Sequence, residues 1–422
     1  MSGDTHHPGP LPGPAGRPAR RWPTALRSLR HRHFRRFWLG LIVSVVGTWM
    51  QMTAQGWLVY LLTDSPLYLG LVGACGTIPI LLFSLPAGVL ADRLSKRNIL
   101  LVTQSLAMAQ AFVLAALLYA DLVRVWHVMV LAALLGSVNA LDMPTRHAMV
   151  IELAGREDLL NAVSLNSSAF NSGRIVGPAA AGVLIAAVGL PVCFLINALT
   201  FVPLLIALAT IAPARPAPPA AGGLLRHIGD GLSWVRRSEV ARALLAMIGV
   251  TSVFAMSQRT LLPVFARDTF AVGPQGLGFM ISAYAAGALS SAVSLSAFGH
   301  RWRLGRLVTF GSFLAPLALL ALAGAPRYGV ALLALFLAGV GLMLFNAAAN
   351  TMLQKAPPDE LRGRIMSFRT LLFAGLAAVG DLQVGALGQW LGPRRAVAIG
   401  AAAACVAALL AWWRAPAVRS SE

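Results

Sequence analysis

Twelve runs of apolar residues, each 19 to 28 long, limit what this chain can fold into more than any other feature. They lie at about 36–62, 68–91, 98–120, 126–146, 161–188, 191–211, 241–266, 276–298, 305–323, 330–352, 365–389 and 395–413. About 20 apolar residues, rising about 1.5 Å each, cross the hydrocarbon core of a bilayer. The pattern predicts an all-α integral membrane protein with 12 transmembrane helices. Composition agrees. Only 12% of the 422 residues are charged, against about 25% in a soluble domain.

The net charge of +19 invites a nucleic-acid partner, but its distribution argues against one. Of the 34 Lys and Arg, 26 fall in segments expected on one side of the membrane and 5 on the other. The remaining 3, Arg174, Arg259 and Arg369, lie within spans. The positive-inside rule makes the rich side cytoplasmic and places both termini there. The partner of that basic face is the lipid bilayer with its anionic headgroups. Cys75, Cys193 and Cys405 all lie inside spans and read as small packing residues, not a disulfide frame or a metal site. The adjacent His6 and His7 are not expected to hold a metal, and no cofactor is expected. A cleavable signal peptide is not expected, because the first apolar run is too long for its core.

Residues 1–33 are rich in Pro, Gly and Arg and are expected to be a disordered cytoplasmic tail. Residues 34–211 then hold six spans, 212–240 a linker, 241–413 six more spans, and 414–422 a second tail. The linker opens with APARPAPPAAGG, which cannot continue a helix. Leu224, Leu225, Ile228, Leu232 and Val235 follow at helical spacing, with Arg226, Arg236 and Arg237 among them. That pattern predicts a short amphipathic helix. Six spans, a linker and six spans suggest duplication into two six-helix bundles. Glu157-Asp158-Leu159 matches Asp359-Glu360-Leu361 at an offset of 202, which also carries Gly173 onto Gly375.

Between spans 2 and 3 lies GVLADRLSKRNIL, Gly88 to Leu100. It is a tight basic turn with one acid, Asp92, and the cations Arg93, Lys96 and Arg97. The pattern G-x-L-A-D-R-x-x-K-R at this position resembles the signature loop of the major facilitator superfamily. Three further stretches narrow the likeness: Leu29–Gly73, Ala140–Ile185 and Leu353–Ser367. Together they resemble the enterobactin-exporter-like group of proton-driven exporters.

That resemblance implies a major facilitator fold working by alternating access, in which two bundles rock about a central cavity lined by spans 1, 4, 7 and 10. Those spans carry Thr48, Gln51 and Gln55, then Asn139, then Gln258 and Arg259, then Asn346 and Asn350. Polar groups in hydrocarbon are costly, so these either contact substrate or bond helix to helix. Arg174 in span 5 is a further cavity candidate, suited to an anionic or catechol-like cargo or to backbone carbonyls. Gly173, Gly177, Pro178 and Gly182 in span 5 resemble the antiporter motif of exporting members. The alternative is plain helix packing through small residues.

Arg259 and Asp381 are expected at similar depth and therefore paired, as a structural lock or with Asp381 as proton carrier. By resemblance, Gly88, Asp92, Arg93, Arg97, Asp142 and Arg146 form an inner gate, with Arg93 or Arg97 bound to Asp142 and Asp92 near Arg364–Ser367. No G-x-x-x-x-G-K-[ST] sequence is present, so direct ATP use is not expected. The expected function is proton-coupled export of a small amphipathic molecule, a drug or siderophore, by a monomer in the cell membrane. Import on the same fold is the alternative, and a lipid-modifying membrane enzyme is a remote one.

Overall fold

The computed structural model describes residues 24–155, 157–212 and 233–414. Among these, 12 helices are long and apolar enough to cross a membrane. The first half holds α1 (Arg32–Thr63), α2 (Pro66–Arg93), α3 (Lys96–Tyr119), α4 (Val125–Ala154), α5 (Leu159–Val188) and α6 (Leu190–Ala209). The second half holds α7 (Glu239–Thr269), α8 (Gly273–Phe298), α9 (Leu304–Ala323), α10 (Tyr328–Lys355), α11 (Asp359–Leu391) and α12 (Pro393–Arg414). Short connections follow from local chemistry. The chain leaves α1 through Asp64 in the left-handed region at φ 49°, and α7 starts where the Ser238 hydroxyl accepts from the Ala241 amide.

Within each half the helices pack on one another. Two helix pairs, α2 with α11 and α5 with α8, join the halves. These are the same two positions exchanged between bundles, as a duplicated six-helix unit requires. Glycine sets the closeness of both contacts. A Cβ on Gly70 of α2 would collide with the Asp381 carbonyl of α11, and one on Gly278 of α8 with the Pro178 carbonyl of α5.

Helix α7 is not a regular α-helix. Its first part, Glu239–Thr251, gives way to a π turn at Ser252–Met256 and a 3-10 turn at Ser257–Leu261. Pro263 is one cause. It has no N–H to give the Arg259 carbonyl, and the Leu262 amide donates there instead. A second π turn, Phe265–Thr269, ends the helix.

The described chain corrects the boundary of the first tail. Thr24–Arg30 form a 3-10 helix and α1 starts at Arg32. The cause is burial that composition hides: Ser28 and Leu29 are both buried. The Ser28 amide and hydroxyl both donate to Asn161 Oδ1, at 2.9 and 2.6 Å. In the linker, 233–237 are helical, with Val235 buried beside Leu244, Ile248 and Phe345. His6, His7, the linker residues 213–232, and the side chains of Gly88, Asp92, Arg93 and Arg364 lie outside the described residues.

Candidate transport pathway and gates

The residues from Thr24 to His31, the α2–α3 turn and the α4–α5 turn share one face of the bundle, here the basic face. The other is the far face. At the far face the ends of α1 and α7 meet in a compact charge cluster. Arg267 Nη2 lies 2.6 Å from Asp64 Oδ1, and Arg267 Nε lies 2.7 Å from Asp268 Oδ1. The Arg267 guanidinium also sits 4.1 Å from the centre of the Tyr60 ring. The Tyr60 hydroxyl donates to Asp268, and the Ser65 hydroxyl donates to Gln389 Oε1 at 2.6 Å. Apart from Arg267–Asp268, which lies within α7, each contact takes one partner from each half, so the cluster ties the bundles together at this end.

Contacts between halves continue inward to mid-depth. A Cβ on Gly182 would strike the backbone of Pro274 and Gln275. The Ser282 hydroxyl of α8 donates to the Ile175 carbonyl of α5 at 2.6 Å. Leu81 of α2 packs on Gly375 of α11. Nearer the basic face both α5 and α11 carry exposed hydroxyl side chains. Ser164, Ser167 and Ser168 on α5 are exposed, as are Ser367 and Thr370 on α11. On α5, Ser164, Ser168, Asn171 and Arg174 recur at helical spacing and form a polar stripe that runs to mid-depth. The first three bond back to carbonyls of their own helix at 2.8 to 2.9 Å.

At the inner end of that stripe two arginines rest on aromatic faces. Arg174 lies 5.5 Å from the Trp49 ring centre, and Arg259 lies 5.4 Å from that of Tyr284. Arg259 Nε donates to the Met256 carbonyl at 3.2 Å. The expected Arg259–Asp381 ion pair does not form. Asp381 instead accepts from the Thr260 hydroxyl at 2.7 Å. The depth expected for the pair is right and the face is wrong. The 3-10 turn changes the angular advance along α7, so Thr260 meets α11 while Arg259 turns to α8.

Several amides expected in a cavity do other work. Gln51 is buried, donates to Gln110 Oε1 at 2.8 Å and accepts from Asn197, so it joins α1 to α3 and α6. Gln258 is buried, donates to the Phe254 carbonyl at 2.8 Å and packs against Gly400 of α12. Thr48 donates to the Ser44 carbonyl at 2.8 Å, and Asn346 to the Leu342 carbonyl at 3.0 Å. Gln55, Asn139, Asn346 and Asn350 are half-buried. Gly173 and Gly177 of α5 pack on Val45 and Trp49 of α1.

For Arg97 the inner-gate pairing differs from expectation, and the side chain of Arg93 lies outside the described residues. Asp142 is buried and pairs with Arg146 of its own helix. It also accepts from the Thr103 hydroxyl at 3.0 Å and the Gln104 amide at 2.6 Å. These three donors hold its carboxylate from α3 and α4. Arg97 instead donates to the Leu208 and Ala209 carbonyls at 3.0 and 3.2 Å, capping the open end of α6. Lys96 pairs with Glu152 at 2.9 Å.

A basic-face cluster escaped the sequence reading. Asp158, only 1% exposed, receives Arg27 Nε at 3.0 Å, Arg30 Nε at 2.9 Å and His31 Nε2 at 2.9 Å. Burial pushes its carboxyl up, but the His31 hydrogen bond and the Arg30 and Arg27 charges reverse this and hold it below the usual carboxylate range. The sequence signal was the run of cations before α1 together with an acid at the start of α5.

Twelve helices in two bundles, joined through α2–α11 and α5–α8, define a membrane transporter of the major facilitator superfamily. Within it, the family model described as "Transmembrane secretion effector" matches residues 23–421, and the chain belongs to that family. Among curated relatives, the enterobactin exporter EntS of Shigella boydii is 28% identical, over 86% of this chain and 87% of its own. The multidrug efflux pump Tap of Mycolicibacterium fortuitum is 26% identical, over 83% of this chain and 88% of its own. The staphyloferrin A transporter of Staphylococcus aureus is 25% identical, over 82% of this chain and 87% of its own. Among solved structures, the nucleoside transporter NupG (D323A mutant) aligns with a TM-score of 0.77 at 13% identity, over 91% of this chain and 100% of that one. A bacterial homologue of the iron transporter ferroportin in an inward-facing state aligns with a TM-score of 0.72 at 17% identity, over 91% of this chain and 99% of that one. Both likenesses concern the fold.

Proposed function

We propose that this transporter exports small amphipathic molecules, drugs or siderophores, from the cytoplasm, driven by the proton gradient. Its basic face is cytoplasmic, both termini lie there, and it works as a monomer in the plasma (inner) membrane. The observation that carries this reading is the joining of the two halves at the far face together with the polar stripe on α5, which leads from the basic face to Arg174. A conformation open to the cytoplasm and shut outside is the loading state of an exporter. The printed names of the curated relatives, an enterobactin exporter and a multidrug efflux pump, support the same direction.

In this reading Gln55, Asn139, Asn346 and Asn350 face the cargo, with Arg174 and Arg259 at its centre. Asp381 is the proton site. It is a membrane-embedded carboxylate held by the Thr260 hydroxyl, with no ion-pair partner among the described residues. The four small residues of α5 let it slide against α1 and α8 as the bundles rock. The loop acid Asp92 holds the basic side when that side closes.

The experiment is accumulation of a fluorescent cargo such as ethidium in cells with and without the protein. Export lowers accumulation in expressing cells, and collapse of the proton gradient restores it. Higher accumulation on expression replaces this reading with import.

A further inference from the structure

We propose that Arg174 and Arg259 form an anion-recognition centre, and that the cargo presents a carboxylate or comparable organic anion to both at once. The inference rests on the transport reading above and names its substrate class. Arg174 comes from the first half and Arg259 from the second. They meet around Tyr284, where α5 and α8 already touch through Ser282 and the Ile175 carbonyl. Arg259 lies over the Tyr284 ring and Arg174 over the Trp49 ring. Each arginine lies within electrostatic range of the other and of Tyr284.

Two like charges at mid-depth are expensive. An arginine at the centre of a membrane helix is costly unless its charge is offset. The cation–π contacts to Trp49 and Tyr284 return only part of that cost. Among the described residues neither arginine has an ion-pair partner. Asp381 reaches Arg259 only through space and is bonded to Thr260. One net positive charge is therefore left over at the joint between the bundles. An anion bound between the guanidiniums offsets the repulsion and compensates the buried charge, and bidentate guanidinium–carboxylate geometry suits it. The ring faces of Trp49 and Tyr284 add an apolar wall. The approach is the α5 stripe of Ser164, Ser168 and Asn171, which can hydrate or bond an entering anion. Because one arginine belongs to each half, the bound anion links them, and its arrival favours the bundles drawing together around it.

The test is calorimetric binding to the full-length protein in lipid nanodiscs. The probes are salicylate, its neutral counterpart salicylamide, citrate, and the cation ethidium. Salicylate or citrate is expected to bind, with salicylamide much weaker. Arg174→Gln and Arg259→Gln should each weaken anion binding by roughly 30-fold or more, and Arg174→Lys should recover part of it. The salicylate–salicylamide comparison on the unaltered protein needs no variant to fold. Absence of binding by both anions, equal binding of salicylate and salicylamide, or unchanged affinity in both Gln variants overturns the proposal. Export of ethidium without anion binding removes the anion centre and leaves the export reading standing. Anion binding that needs both arginines, without directed export, supports the centre and removes the export reading.

Discussion

The guanidinium of Arg267 lies 4.1 Å from the centre of the Tyr60 ring, and the two residues belong to opposite halves of the protein. The same guanidinium pairs with Asp64 and Asp268, and the Tyr60 hydroxyl closes the ring of contacts onto Asp268. A partly desolvated cation–π contact is worth up to about 2 kcal/mol, whereas exposed ion pairs are worth less. Loss of about 1.4 kcal/mol shifts a two-state equilibrium tenfold. Arg267→Ala should therefore raise the population open at the far face by about tenfold. Maleimide labelling of Ala266→Cys, a buried position beside the cluster, reads that population in a background without Cys75, Cys193 and Cys405. Unchanged labelling means the cluster does not hold the face shut.

Gly70 is the tightest point of the α2–α11 contact, against the Asp381 carbonyl and Gly385. Valine there cannot be accommodated without parting the halves. Gly70→Val should insert at normal levels yet transport at least tenfold more slowly, because the far face no longer closes. A normal turnover rate would show that this contact loosens at no cost to the cycle.

Asp381 gives a sharper prediction than the expected pair with Arg259 would have allowed. Held by Thr260 and free of a bound arginine, it can gain and lose a proton without breaking a salt bridge. Asp381→Asn should abolish gradient-driven transport while leaving cargo exchange down its own gradient. Thr260→Ala should shift the pH dependence of transport. Normal transport by Asp381→Asn across pH takes the proton site elsewhere.

The Asp158 cluster predicts a pH effect on stability. Its carboxyl is held below the usual range by His31, Arg30 and Arg27 against the opposing effect of burial. A group lowered in the folded state contributes fully above its unfolded value, about 3.9, and the contribution is lost as pH falls through the lower folded value. The melting temperature of the unaltered protein should therefore fall more steeply below about pH 4 than that of Asp158→Asn. Parallel curves would mean the cluster does not anchor the residues before α1.

Most of the fold was legible because its signal is coarse. Span length and basic loops survive errors of several residues, and α5 and α11 appeared through a shared offset. The site was less legible because it depends on which side of a helix a residue takes. Depth along α7 put Arg259 level with Asp381, but the 3-10 turn gave that contact to Thr260. Gln51 and Gln258 have the polarity of cavity residues, yet they spend it on neighbouring helices. Nothing in a single helix separates those uses. The Tyr60–Asp268 contact could have been found by duplication, since both lie at the far end of the first span in each half. The Asp158 cluster was harder to see, because its cations sit in a segment whose composition resembles a tail and only the acid at the start of α5 pointed to them.

The central claim is that the two bundles must part at the far face in every cycle. Ser65 and Gln389 test it most directly, one at the start of α2 and one near the end of α11, with the Ser65 hydroxyl 2.6 Å from Gln389 Oε1. In a background without the native cysteines, Ser65→Cys with Gln389→Cys should cross-link under oxidation, stop transport, and regain it on reduction. Undiminished transport by the fully cross-linked protein would contradict the account.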